Sequence, residues 1–121
     1  MTDKIKQNAI KIIKLLGLGL TLPQNIILTS NESYNLLLNP IKEQKENSFI
    51  ELYSSYNGLM PIVFECNTNT NMNTEIRILQ DSIRFIYLYQ LHVANDYFTE
   101  IEFVLALQEC IIKYLEVKNG I

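Results

Sequence analysis

The chain has 121 residues, 48% of them hydrophobic and 19% charged. That length suits one domain, 1–121, with one ordinary core, and the apolar content excludes a disordered chain. Thirteen acidic against ten basic residues leave a formal charge of −3, which repels phosphate backbones and argues against a nucleic-acid partner. Two cysteines and one histidine leave little for a disulfide framework, a metal site or a catalytic triad. The expectation is a cytoplasmic domain in a reducing compartment, not an enzyme, with no cofactor.

Lys4, Lys6 and Lys11 precede the apolar run 12–22 in the manner of a signal peptide. Lys14 interrupts that run and no small-residue cleavage site follows, so it reads as a helix of the fold. No stretch approaches the roughly 20 apolar residues that span a bilayer, and membrane insertion is not expected. Ile5, Ala9, Ile12, Ile13 and Leu16 recur at helical spacing, which predicts a helix over 3–16. Thr2 or Asp3 supplies the cap, and Gly17 the left-handed residue that closes the last turn.

Shorter β-like runs follow. Residues 25–29 and 34–39 are bounded by Pro23, Ser30–Ser33 and Pro40, which predicts a hairpin. The Asn-Glu-Ser at 31–33 is a glycosylation sequon by pattern only. Residues 42–47 read as a solvated loop. Residues 49–56 alternate weakly and predict a third strand, ended by Asn57-Gly58 as a turn. Residues 59–66 suit either a strand or a short helix with Pro61 in its first turn. The Asn/Thr tract at 67–73 predicts a loop, and the most mobile part of the chain.

Residues 75–93 admit two readings. A hairpin pairs 76–79 with 83–91 through Gln80-Asp81-Ser82; a single helix would align Ile76, Leu79, Ile83, Ile86 and Gln90. Aromatic and β-branched enrichment favours the hairpin. Both faces of its second strand are apolar, which calls for cover on both sides, and a partner subunit is one source. Thr99 and Glu102 then form a capping box. Phe103, Val104, Leu107, Ile111 and Leu115 make the stripe of a last helix, with Ala106 and Cys110 beside it, ending at Asn119-Gly120.

The class is therefore α+β: helix, three strands, short helix, two strands, helix, with an antiparallel sheet packed by helices. In this order the chain resembles the class I type III secretion chaperones, the Tir-chaperone or CesT-like family. The resemblance rests on the amphipathic opening helix ending in Leu15-Leu16-Gly17-Leu18, on runs 26–28, 36–38 and 49–53, and on Asn57-Gly58-Leu59-Met60-Pro61. The pair 76–79 and 83–91 and the closing helix 100–117 complete it. It departs where Ile62–Cys66 runs into the Asn/Thr tract, since the family's second helix is longer and leucine-rich. The resemblance implies a bacterial, cytoplasmic homodimer, active in virulence, that holds the N-terminal segment of a secreted effector in extended form. It also points to the secretion-apparatus ATPase as a further partner. An apolar surplus, with 17 Ile and 17 Leu, suits a binding surface plus a dimer core.

For the effector groove the sequence offers Ile5, Ile12, Leu16, Ile26, Leu28, Leu36 and Leu38, with a plain core role as the alternative for each. For the dimer interface it offers Ile62, Val63, Phe64, Phe85 and Tyr87. Tyr53, Tyr56, Tyr87, Tyr89, Tyr97 and Tyr114 suit either core or interface. His92 reads as structural or surface, because neither Cys66 nor Cys110 stands in a nucleophile signature. Those three residues lack ligand-pair spacing, so no metal site is expected. Glu100 and Glu102 are explained by capping and the helix dipole rather than acid–base work, and Glu109 likewise reads as structural. An immunity or antitoxin protein that blocks one toxin is the competing reading, since such proteins are also small and acidic.

Overall fold

The computed structural model describes residues 3–17 and 47–121. The expected hairpin at 25–39, with Ile26, Leu28, Leu36 and Leu38, lies outside the described residues. The elements are α1 (Asp3–Leu15), a helical segment at 47–52, α2 (Tyr56–Thr68), β1 (Thr74–Ile78), β2 (Ser82–Tyr87), β3 (Gln90–Asp96) and α3 (Glu100–Lys118). The protein is α+β, with a three-stranded antiparallel sheet in the order β1-β2-β3 packed against helices.

Helix α3 organises the core. It contacts α1, α2 and all three strands, whereas α1 touches no strand, so α3 lies between the first helix and the sheet. Its expected stripe therefore widens, and Val104, Leu107, Gln108, Cys110, Ile111, Ile112, Tyr114 and Leu115 are all buried. Thr99 caps it as the sequence predicts, its hydroxyl oxygen accepting from the Glu102 amide at 3.1 Å. The Glu102 carboxylate accepts from the Thr99 hydroxyl rather than from a backbone amide. At the far end Gly120, at φ +74°, closes a left-handed cap in which the Ile121 amide reaches back to Glu116.

Gln108 is fully buried on α3 and donates to two backbone carbonyls, Ile5 at 3.0 Å and Tyr53 at 2.8 Å. One amide thus ties the start of α1 and the end of the 47–52 segment to the central helix. Asn119 repeats the device at the other end, donating to the Leu15 carbonyl at 2.8 Å. The Tyr53 and Leu15 carbonyls lie at helix C-terminal ends, where the last C=O groups have no intrahelical partner.

Five expectations need correction. Residues 49–56 are not a strand: 47–52 are helical, Ile50 is buried, and Phe49 and Tyr53 stack four residues apart at 6.4 Å. A weak alternation lost to i,i+4 packing. Asn57-Gly58 is not a turn either, because α2 begins at Tyr56 behind the Ser55 cap. Gly58 sits inside that helix because space demands it: a Cβ there would lie 1.7 Å from the Leu52 carbonyl oxygen. Pro61 consequently falls in the second turn rather than the first.

The strand expected at 83–91 is broken. Leu88 and Tyr89 both take positive φ, 52° and 64°, and form a two-residue turn between β2 and β3. The second hairpin strand and its continuation are therefore two strands, and the expected pair becomes three. The Asn/Thr tract is a loop over 69–73 as expected, but Asn67 and Thr68 end α2. Asn67 closes on the backbone of Ile76 with both ends of its amide: Oδ1 accepts from the N–H at 2.6 Å and Nδ2 donates to the C=O at 3.1 Å. Thr74 adds a bond to the Cys66 carbonyl at 2.9 Å.

Candidate binding surface

The two edges of the sheet differ. The Leu88 amide bonds the Asn73 carbonyl beyond the Thr74–Tyr87 pair. Antiparallel alternation then turns the backbone groups of Ile76 away from β2, toward the outer edge. Asn67 fills that place, so β1 presents a blunted edge. On the other side the Tyr97 amide bonds the Asp81 carbonyl beyond the Ser82–Asp96 pair. By the same alternation Asp96 and Ala94 point their N–H and C=O groups outward. No described residue pairs with them, so among the described residues β3 is an open edge.

Large apolar side chains stand exposed at both ends of that edge. The turn at one end carries Leu88 and Tyr89, the latter 90% exposed, with Leu91 beside it. At the other end Phe98 is 85% exposed and Ile101 about half. The turn is itself costly: positive φ suits Asn and Gly, and non-glycine residues held there cost about 1–3 kcal/mol each. Beneath β3, between it and α3, lies an open cleft of about 180 Å³ lined by Asn95, Asp96, Glu102, Leu105, Ala106 and Glu109. Asn95 donates to Glu109 across it at 3.0 Å. Three carboxylates make this the acidic side of the sheet.

His92 is exposed on β3 at a bulge, where the register slips between Phe85 and Ile86. Its ring lies against Tyr87 at 5.7 Å and Phe85 at 6.2 Å. Cys66 and Cys110 are wholly buried and form no disulfide, and the Cys110 thiol donates to the Ile83 carbonyl at 3.7 Å. Burial pushes their thiols up, to about 11 and about 12 respectively. Thiolate is thus scarce at neutral pH at either position, and neither is set up as a nucleophile. Among the described residues no group of His, Cys, Asp and Glu is arranged to hold a metal ion, and no helix is long and apolar enough to cross a membrane.

The residues singled out from the sequence separate into two sets. Ile5 and Ile12 are core, and Leu16 is half-buried against the same cluster. Ile62, Val63 and Phe85 are also core, filling the space between α2, the sheet and α3. Phe64 and Tyr87 keep surface, with Phe64 70% exposed. The tyrosines divide likewise: Tyr114 is buried, Tyr53, Tyr87 and Tyr97 are half-buried, and Tyr56 and Tyr89 are exposed. Sequence reasoning missed the surface around β3, although one signal was present: Leu88-Tyr89 halfway between two β-rich runs. Comparison of the chain with protein-family models, with curated proteins and with solved structures finds no match.

Proposed function

We propose that the protein is a non-enzymatic secretion chaperone of the type III kind, a homodimer that holds the N-terminal segment of a secreted effector in extended form. The observation that carries this reading is an open strand edge with large apolar side chains exposed at both ends. Main-chain pairing at such an edge supplies affinity, and side-chain contacts supply selectivity. Inert thiols and a histidine packed on aromatic rings are consistent with work done by binding rather than bond-making.

The test is co-purification with the N-terminal segment of an effector encoded beside the chaperone's gene. The expected product is a complex of two chaperone copies with one segment, in which the bound segment gives no folded-state signature of its own. A chain that captures no such segment overturns the reading. The acidic cleft of Asp96, Glu102 and Glu109 favours a second reading, an immunity protein that covers a basic toxin face. Tight one-to-one binding to a folded toxin would select it.

A further inference from the structure

We infer that the segment held at the β3 edge carries charge of opposite sign on its two faces: an acidic side chain on the face of Arg84 and, an odd number of residues away, a basic one over the cleft beside α3. This rests on the reading above, in which an extended segment adds to β3, and names the chemistry of the segment that fits there. A strand added to β3 continues the pleat, so its residues fall alternately on the two faces of the sheet. The residue paired with Ala94 shares the face of Ala94, and its chain neighbours fall on the face of Asn95.

The outer face is basic. Arg77, Arg84 and Ala94 stand side by side across β1, β2 and β3, and all three are exposed. Like charges directly opposite one another repel. Arg77 has a partner of its own in Glu75, whose carboxylate accepts from Nε at 2.8 Å. Among the described residues the Arg84 guanidinium makes no ion pair or hydrogen bond. Repulsion from Arg77 drives it toward β3, where its neighbour is only the methyl group of Ala94. Strands lie roughly 4.8 Å apart, so an added strand would run about 10 Å from β2. An extended arginine and a carboxylate side chain meet across that gap, over the alanine. Asp96 is diagonal to Arg84 on β3 but makes no ion pair with it, and lines the cleft instead.

The inner face has the other sign. Glu102, Leu105 and Glu109 recur at helical spacing along the side of α3 beside β3, and with Asp96 they line the open cleft. Glu109 accepts from Asn95 and Glu102 from the Thr99 hydroxyl, both neutral donors. No cation among the described residues pairs with any of the three carboxylates. A lysine or arginine on the inner face of an added strand would lay its stem over Leu105 and Ala106 and its charge among those carboxylates. Arg84 and the cleft are thus charge sites of opposite sign on opposite faces, joined by the outward backbone groups of Ala94 and Asp96. A segment with acid and base on one face satisfies one site; a segment with them on opposite faces satisfies both.

The probes are fluorescein-labelled peptides of valine and threonine with one glutamate and one lysine, made as two isomers. In the first the charged residues are adjacent, on opposite faces of a strand. In the second they are two apart, on the same face. A third peptide carries neither charge. By fluorescence anisotropy with the full chain, the first isomer should bind roughly threefold to tenfold more tightly than the second. The difference should vanish near about 1 M salt. Arg84→Glu, at an exposed position, should abolish the preference with unchanged far-ultraviolet circular dichroism. Replacing the glutamate of the first isomer with lysine should restore tight binding to that variant. Equal binding of all three peptides overturns the inference and leaves edge pairing standing. An Arg84→Glu chain that keeps the preference overturns it too, as does binding of none of the three. The chaperone reading itself falls only with failure to capture an effector segment.

Discussion

Helix α3 and strand β3 are neighbours in the chain and in space, yet the fold treats them in opposite ways. Around α3 even the amide of Gln108 is drawn into the core and given two carbonyls to hold. Along β3 no residue is fully buried, and the apolar residues beside it stay in solvent. The difference teaches that the apolar surplus of this chain serves two purposes. Part of it closes one core around α3, and part is left uncovered, with Leu88, Tyr89, Leu91, Phe98 and Ile101 grouped around β3.

The strongest way to break the comparison is to charge the buried side. Phe85→Asp puts an unpaired carboxylate where the ring is fully buried against Tyr114. The expected result is an unfolded chain by circular dichroism at 25 °C, since losses of this kind exceed about 3 kcal/mol. A folded Phe85→Asp protein would mean that β2 is not core.

Asn67→Ala removes both bonds to Ile76 and reopens the β1 edge. It should lower stability by about 1–3 kcal/mol in urea titration. It should also promote association into larger species, because an unfilled edge invites strand pairing. A variant that loses stability without forming larger species would show that α2 alone protects that edge.

The opposite sign is expected at the turn. Replacing Leu88 with Asn and Tyr89 with Gly gives the residues that positive φ favours. The monomer should gain about 1 kcal/mol or more, read as a higher urea midpoint under dissociating conditions. A loss of monomer stability would show that the exposed side chains also pack within their own copy.

The smallest effect concerns pH. Burial raises the Cys66 and Cys110 thiols from an ordinary 9.0 to about 11 and about 12. The folded chain therefore holds those protons more tightly than the unfolded chain. Their contribution to stability is complete below pH 9 and is lost as pH rises toward 11–12. Urea midpoints should fall over that window, and Cys110→Ala should flatten the fall. His92→Ala should leave fold and neutral-pH stability nearly unchanged, because its ring is exposed.

The local rules were legible in the sequence by itself, and they were enough for α1, α3 and the α+β class. Ile5, Ala9, Ile12 and Ile13 mark a buried helix face by spacing alone, and all four are buried. Thr99, Gly17 and Gly120 mark helix ends because capping depends on a few adjacent residues and φ preferences. Only the tertiary structure decided the rest. The segment 47–52 is helical because Ile50 packs on Ala9 and Ile13 and the Tyr53 carbonyl meets Gln108, partners distant in sequence. Gly58 is needed because the carbonyl of Leu52 approaches it, a contact that no turn rule contains. Period-two patterning continues unbroken through Leu88 and Tyr89, so it could not reveal where the chain reverses. Apolar content alone, finally, does not distinguish Phe85 from Phe98. One is sealed between the sheet and α3, the other is left in solvent beside an open edge, and only the packing of α3 separates them.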